Sequence, residues 1–80
     1  MDRNAIIEKM TAIFRDVLDE DDLVLTDEMT AADVEAWDSL AHMQLMSEIE
    51  DEFNINFTLG EVNGFKNVGE LIAAVEKHLG

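Results

Sequence analysis

Apolar residues recur every three or four positions in three separate stretches, and this periodicity restricts the chain to helices packed by their apolar stripes. Ile6, Met10, Ile13, Phe14 and Val17 follow the spacing i, i+4, i+7, i+8, i+11. Leu40, Met43, Met46, Ile49 and Phe53 recur at threes and fours, with Leu45 widening that face. Val68, Leu71, Ile72, Val75 and Leu79 form a third stripe. Runs of period two are too short to build a sheet.

Start signals agree with these stripes. Asp2 and Asn4 supply caps for the first helix, which ends near Leu18, where Asp19-Glu20-Asp21-Asp22 begins. The second helix is predicted to begin at Asp38 or Ser39, because a carboxylate there accepts an orphan backbone N–H, and to end near Phe53-Asn54. Thr58-Leu59-Gly60-Glu61 and Asn67-Val68-Gly69-Glu70 have the spacing of capping boxes. The first opens a turn or two before Gly64, the second the final helix. Residues 19–37 show no sustained period. Their apolar residues Leu23, Leu25, Met29, Val34 and Trp37 are expected to pin a long connection over the core. The expected architecture is all-α, a small four-helix bundle with a long first loop and a short third helix.

Length and charge bound the function. Eighty residues make one domain, 1–80, and a domain this small buries only roughly 60% of its unfolded surface, which leaves little room for an elaborate catalytic cleft. There are 19 acids against 5 Lys and Arg, a formal charge of −14. Hydrophobic residues are 48%, too many for an acidic disordered tail. From Asp16 to Phe65 there are 15 acids and no Lys or Arg. That balance argues against nucleic acid and anionic membrane surfaces as partners and favours partners with basic patches. There is no Cys, hence no disulfide, thiolate zinc site or thiol nucleophile. The start Met1-Asp2-Arg3-Asn4 lacks a signal-peptide pattern, and no apolar run approaches a membrane span. A cytoplasmic monomer is the expectation.

Trp37-Asp38-Ser39-Leu40 is the sharpest local feature. It places a hydroxyl in the first turn of a helix, where free N–H groups and partial positive charge favour a phosphate ester. By itself, a Ser or Asp at a helix start is most simply a cap. Two other chemistries fail. An EF-hand loop starting at Asp19 needs Gly at its sixth position and meets Val24. Asp38, Ser39 and His42 as a hydrolytic set would crowd nucleophile, base and acid into one helical turn, with no oxyanion site. No catalytic residue and no metal ligand is assigned.

Asp38-Ser39-Leu40, the acidic amphipathic helix after it and the layout of the whole chain resemble the acyl carrier protein family. The resemblance implies that Ser39 is esterified with 4′-phosphopantetheine donated by coenzyme A, and that the arm's thiol carries acyl groups as thioesters in fatty-acid, polyketide or related biosynthesis. Such a chain is not an enzyme. It is the substrate of a phosphopantetheinyl transferase and of acyl transferases, synthases or ligases. Asp38 and Leu40 match the residues flanking the attachment serine. Met43, Glu50, Asp51 and Trp37 are implied docking residues, and Leu45, Met46, Ile49, Phe57, Val62 and Phe65 are implied walls of the acyl pocket. Ala41 and Gln44 stand where fatty-acid carriers usually have acids, His42 stands where a small neutral residue is common, and Trp37 resembles carriers dedicated to particular pathways. A D-alanyl or aminoacyl carrier, and an acidic helical adaptor without covalent cargo, are the alternatives.

Overall fold

The computed structural model describes residues 2–80; Met1, part of the N-terminal stretch read above, lies outside them. Four α-helices follow in order: α1 (Arg3–Leu18), α2 (Ser39–Phe53), α3 (Leu59–Gly64) and α4 (Val68–Leu79). The long connection between α1 and α2 holds one 3₁₀ turn, Ala31–Asp33. No strand occurs among the described residues.

Each helix starts where a side chain takes an orphan amide. Asp2, Asp38, Thr58 and Asn67 accept from the backbone N–H three residues on. Thr58 and Glu61 form the reciprocal capping box expected of them. Asn67 and Glu70 do not, because the Glu70 carboxylate accepts from the Lys66 amide instead. α1 and α2 end on Asp19 and Asn54, both left-handed at φ 55°, with their amides returned to the Arg15 and Glu50 carbonyls.

The core joins α1 to both α2 and α4. Ile6, Met10 and Phe14 of α1 are wholly buried, as are Leu45 and Ile49 of α2 and Val68 and Val75 of α4. The buried stripe of α2 differs from the one read in the sequence. It runs through Ala41, Leu45, Met46, Ile49 and Phe53, while Leu40 and Met43 are 71% and 55% exposed. Both register choices keep a helical period, and only the position of α1 selects between them.

The long connection is tied down by backbone. Val68 N–H donates to the Met29 carbonyl at 2.8 Å and Gly69 N–H to the Asp27 carbonyl at 3.0 Å. The loop therefore fills two of the free amides at the start of α4. Arg3 reaches Asp27 at 3.1 Å and Glu76 at 2.9 Å, joining α1, the loop and α4.

Candidate functional site

Ser39 is the first residue of α2 and is exposed. Asp38 does the capping: its Oδ1 accepts from the Ala41 amide at 2.8 Å, and its carbonyl accepts from the His42 amide at 2.8 Å. Two consequences follow. The Ser39 hydroxyl is released from any capping duty. The amides of Ser39 and Leu40, which precede the first intrahelical bond, remain directed out of the helix start, where they favour an anion. A phosphodiester on the Ser39 oxygen fits this end.

A groove of about 490 Å³ opens beside it, lined by Asp38, Ser39, His42, Met43, Val62 and Phe65 among others. A second cavity of about 230 Å³ adjoins it and reaches Lys66, Asn67 and Leu71. Ala31, Trp37, His42 and Phe65 line both. An attached arm thus has an exposed anchor with a partly apolar channel next to it.

The structure sorts the residues singled out by sequence. Leu40 and Met43 are exposed on α2, beside or close to the groove. Asp51 is exposed. Glu50 turns inward, accepting from the Phe57 amide at 2.7 Å, so its carboxylate holds the α2–α3 connection instead of standing free for docking. Trp37, expected on the docking surface, is 8% exposed. It packs edge-on against Phe14, with ring centroids 5.2 Å apart. An aromatic of that size is worth more under the loop than in water. Val62 and Phe65 line the groove. Phe57 sits behind Phe65, their centroids 5.4 Å apart. Leu45, Met46 and Ile49 are buried in the shared core and line neither cavity.

Four features escaped the sequence reading. His42 stands at the junction of the two cavities and bridges Trp37 and Val62. Its signal was only that an imidazole is unusual there. Leu59 is 75% exposed at the start of α3, and a leucine directly after a capping residue gave no hint of which way it faces. Ala41, which stands where fatty-acid carriers usually have an acid, is buried, so an aspartate at that position would press a charge against the core. The fourth is His78 in the last turn of α4, which pairs with Glu61 of α3 at 3.0 Å. The Glu61 carboxyl is held below its usual range, first by the Thr58 amide that donates to it and then by the His78 ring.

Comparison with known proteins agrees with this geometry. The family described as the phosphopantetheine attachment site matches residues 8–75. The acyl carrier protein of Streptococcus pneumoniae is 41% identical over 73 residues, 91% of this chain and 95% of that protein. That of Thermotoga maritima is 28% identical over 78 residues, 98% of this chain and 96% of that protein. The solution structure of a holo acyl carrier protein from Geobacter metallireducens superposes with a TM-score of 0.85 at 48% identity, covering 91% of this chain and 84% of that one. With an exposed serine at the start of α2, a channel beside it and these matches over nearly its full length, the chain belongs to the acyl carrier protein family, carriers of acyl groups on phosphopantetheine.

Proposed function

We propose that Ser39 is the attachment residue and that this chain serves a dedicated acyl pathway. The observation that carries the assignment is the division of labour at the start of α2: Asp38 caps the helix, and Ser39 stays exposed beside the groove. In the loading step the Ser39 oxygen bonds to the phosphorus of the phosphopantetheinyl group of coenzyme A. The nucleotide half of coenzyme A leaves, and the hydroxyl proton passes to the transferase. Once attached, the arm supplies a thiol that holds acyl groups as thioesters.

The partners of this reading are a phosphopantetheinyl transferase and acyl-handling enzymes with basic docking patches. A charge of −14 steers such encounters from a distance. Leu40, Met43 and Asp51 offer them an apolar and acidic rim. Residues 1–80 form one carrier domain, a reading supported by the single core. Residence in the cytoplasm belongs to the same proposal. No helix among the described residues is long and apolar enough to cross a membrane.

The test is intact mass after incubation with coenzyme A, Mg²⁺ and a broad-specificity transferase. One arm adds to the wild type and none to Ser39→Ala, whose helical circular dichroism stays unchanged because Asp38 still caps. An arm on Ser39→Ala overturns the assignment.

A further inference from the structure

Of the four helices, α3 is held least by the core. It has six residues, too few to be stable alone, and it packs against the other helices less than α1 does against α2 or α4. Yet it supplies part of the surface around the attachment serine. Its Val62 and Asn63 line the same groove as Asp38, Ser39 and Met43. The place of α3 therefore sets the shape of the ground beside the Ser39 oxygen.

Among the described residues, one hydrogen bond joins α3 to α2, and His42 makes it. The Nδ1 atom of His42 is 3.1 Å from the Trp37 indole nitrogen. An indole N–H only donates, so Nδ1 accepts and the ring proton belongs on Nε2. Nε2–H then donates to the Val62 carbonyl at 2.9 Å. That carbonyl is one of the last four of α3. The Lys66 amide, four residues on, donates to Glu70 instead, so His42 supplies a donor that the helix end lacks. Trp37 in turn is buried against Phe14 of α1. The contacts thus run from α1 through Trp37 and His42 to α3. The Glu61–His78 pair ties α3 to α4 and leaves its spacing from α2 to His42.

We propose that His42 is a positioning residue for the loading of Ser39: oriented by Trp37, it fixes Val62 and with it α3, so that the transferase meets a preset surface around the attachment oxygen. This role rests on attachment of the arm at Ser39. A transferase that sets the phosphorus of coenzyme A against the Ser39 oxygen covers the ground beside it, and the groove places α3 residues on that ground. With α3 tied to α2, this surface is formed before the enzyme arrives. With the tie cut, ordering α3 is subtracted from the binding free energy. The Ser39 oxygen itself is placed by the cap at Asp38 and does not move. The loss therefore falls on binding, which raises KM, and not on the chemical step, which sets kcat.

The experiment follows transfer of the arm from coenzyme A by a broad-specificity transferase, read by mass over a range of carrier concentrations. The temperature is kept well below the melting midpoint of every protein. Wild type, His42→Leu, Trp37→Phe and Asp2→Ala are compared. Asp2→Ala removes the cap of α1 and shows what a general loosening of the fold does. His42→Leu raises the KM for the carrier several-fold at nearly unchanged kcat. Trp37→Phe keeps an aromatic ring on Phe14 and removes only the N–H donor. It raises KM by less, and it holds the test open if His42→Leu folds poorly. Because Trp37 is buried, its effect reaches the enzyme through His42 and α3. Asp2→Ala leaves both constants unchanged. Exchange of the Trp37 indole proton is slow in wild type and fast in His42→Leu. An unchanged KM in both variants overturns the positioning role, and so does a fast indole proton in wild type. A rise in His42→Leu alone also overturns it, by making His42 a direct contact of the enzyme. An equal rise in Asp2→Ala does the same, by assigning the effect to stability. All four outcomes leave the Ser39 assignment standing. Failure of wild type to gain any arm overturns both.

Discussion

At the scale of single residues, the start of α2 shows how adjacent side chains divide one task. Asp38 satisfies an amide that Ser39 would otherwise be recruited to cap. Asp38→Ala is expected to cost about 1 kcal/mol, a drop of about 4–8 °C in a domain of this size, read by thermal circular dichroism. An unchanged midpoint would mean that Ser39 takes over the cap. Asn54 makes the complementary point at the other end of the helix. Its backbone is left-handed at φ 55°, so Asn54→Val is expected to cost about 1–2 kcal/mol, while Asn54→Gly leaves the midpoint unchanged or raises it. Equal loss in both variants would place the effect in the Asn side chain and not in the backbone. The caps and the serine were legible because each bond lies within three residues of its partner. Burial of Trp37 and Ala41 was not legible, because it depends on where α1 lies.

At the scale of elements, the α1–α2 connection is held by α4 as much as by its own apolar residues. A Cβ added at Gly69 would stand 3.1 Å from the Asp27 carbonyl oxygen and 3.2 Å from the Asp27 Cβ. Alanine is the better helix former by about 1 kcal/mol, yet the loop backbone it meets is fixed by the Gly69 amide and by Arg3. Gly69→Ala is therefore expected to lower the midpoint of thermal unfolding. A rise would show that the loop yields easily. The α3–α4 junction carries a pH dependence through Glu61. Its carboxyl is held below the ordinary glutamate value, about 4.3, by the Thr58 amide first and the His78 ring next. A depressed carboxyl stabilises the fold above its unfolded value and loses that contribution as the pH falls through the folded value. The wild type is thus expected to melt above Glu61→Gln at neutral pH, with the gap closing on acidification below the ordinary range. A gap that persists in acid would assign the effect to shape and not to charge.

At the scale of the whole molecule, charge opposes compaction. The body has a Cα radius of gyration of 11.4 Å, close to the screening length of about 10 Å at 0.1 M salt. At low salt its acids therefore repel across the whole molecule. Two charges 10 Å apart in water interact by about 0.4 kcal/mol. Fifteen acids in the middle of the chain form many such pairs, against four ion pairs among the described residues, three of them substantially exposed, each worth about 0–1 kcal/mol. Repulsion wins this comparison. The melting temperature is expected to rise with NaCl, and to rise further with Mg²⁺ at equal ionic strength. Among the described residues, no three His, Asp or Glu side chains gather into a group able to hold a metal ion, so the divalent effect is diffuse. A flat response to both salts would show that the ion pairs offset the repulsion.

The sequence alone determined the helices, their caps, the acidic middle and the serine at the start of α2, because capping bonds and amphipathic periods are complete within a few residues of chain. Tertiary structure decided which face of α2 is buried, that Glu50 turns inward to the Phe57 amide, and that Arg3 bridges the loop and α4. It also decided that Trp37 and His42 meet Val62 across the channel. Each of these depends on a neighbour distant in sequence, and spacing along the chain records the period of a helix but not the direction from which its neighbour arrives.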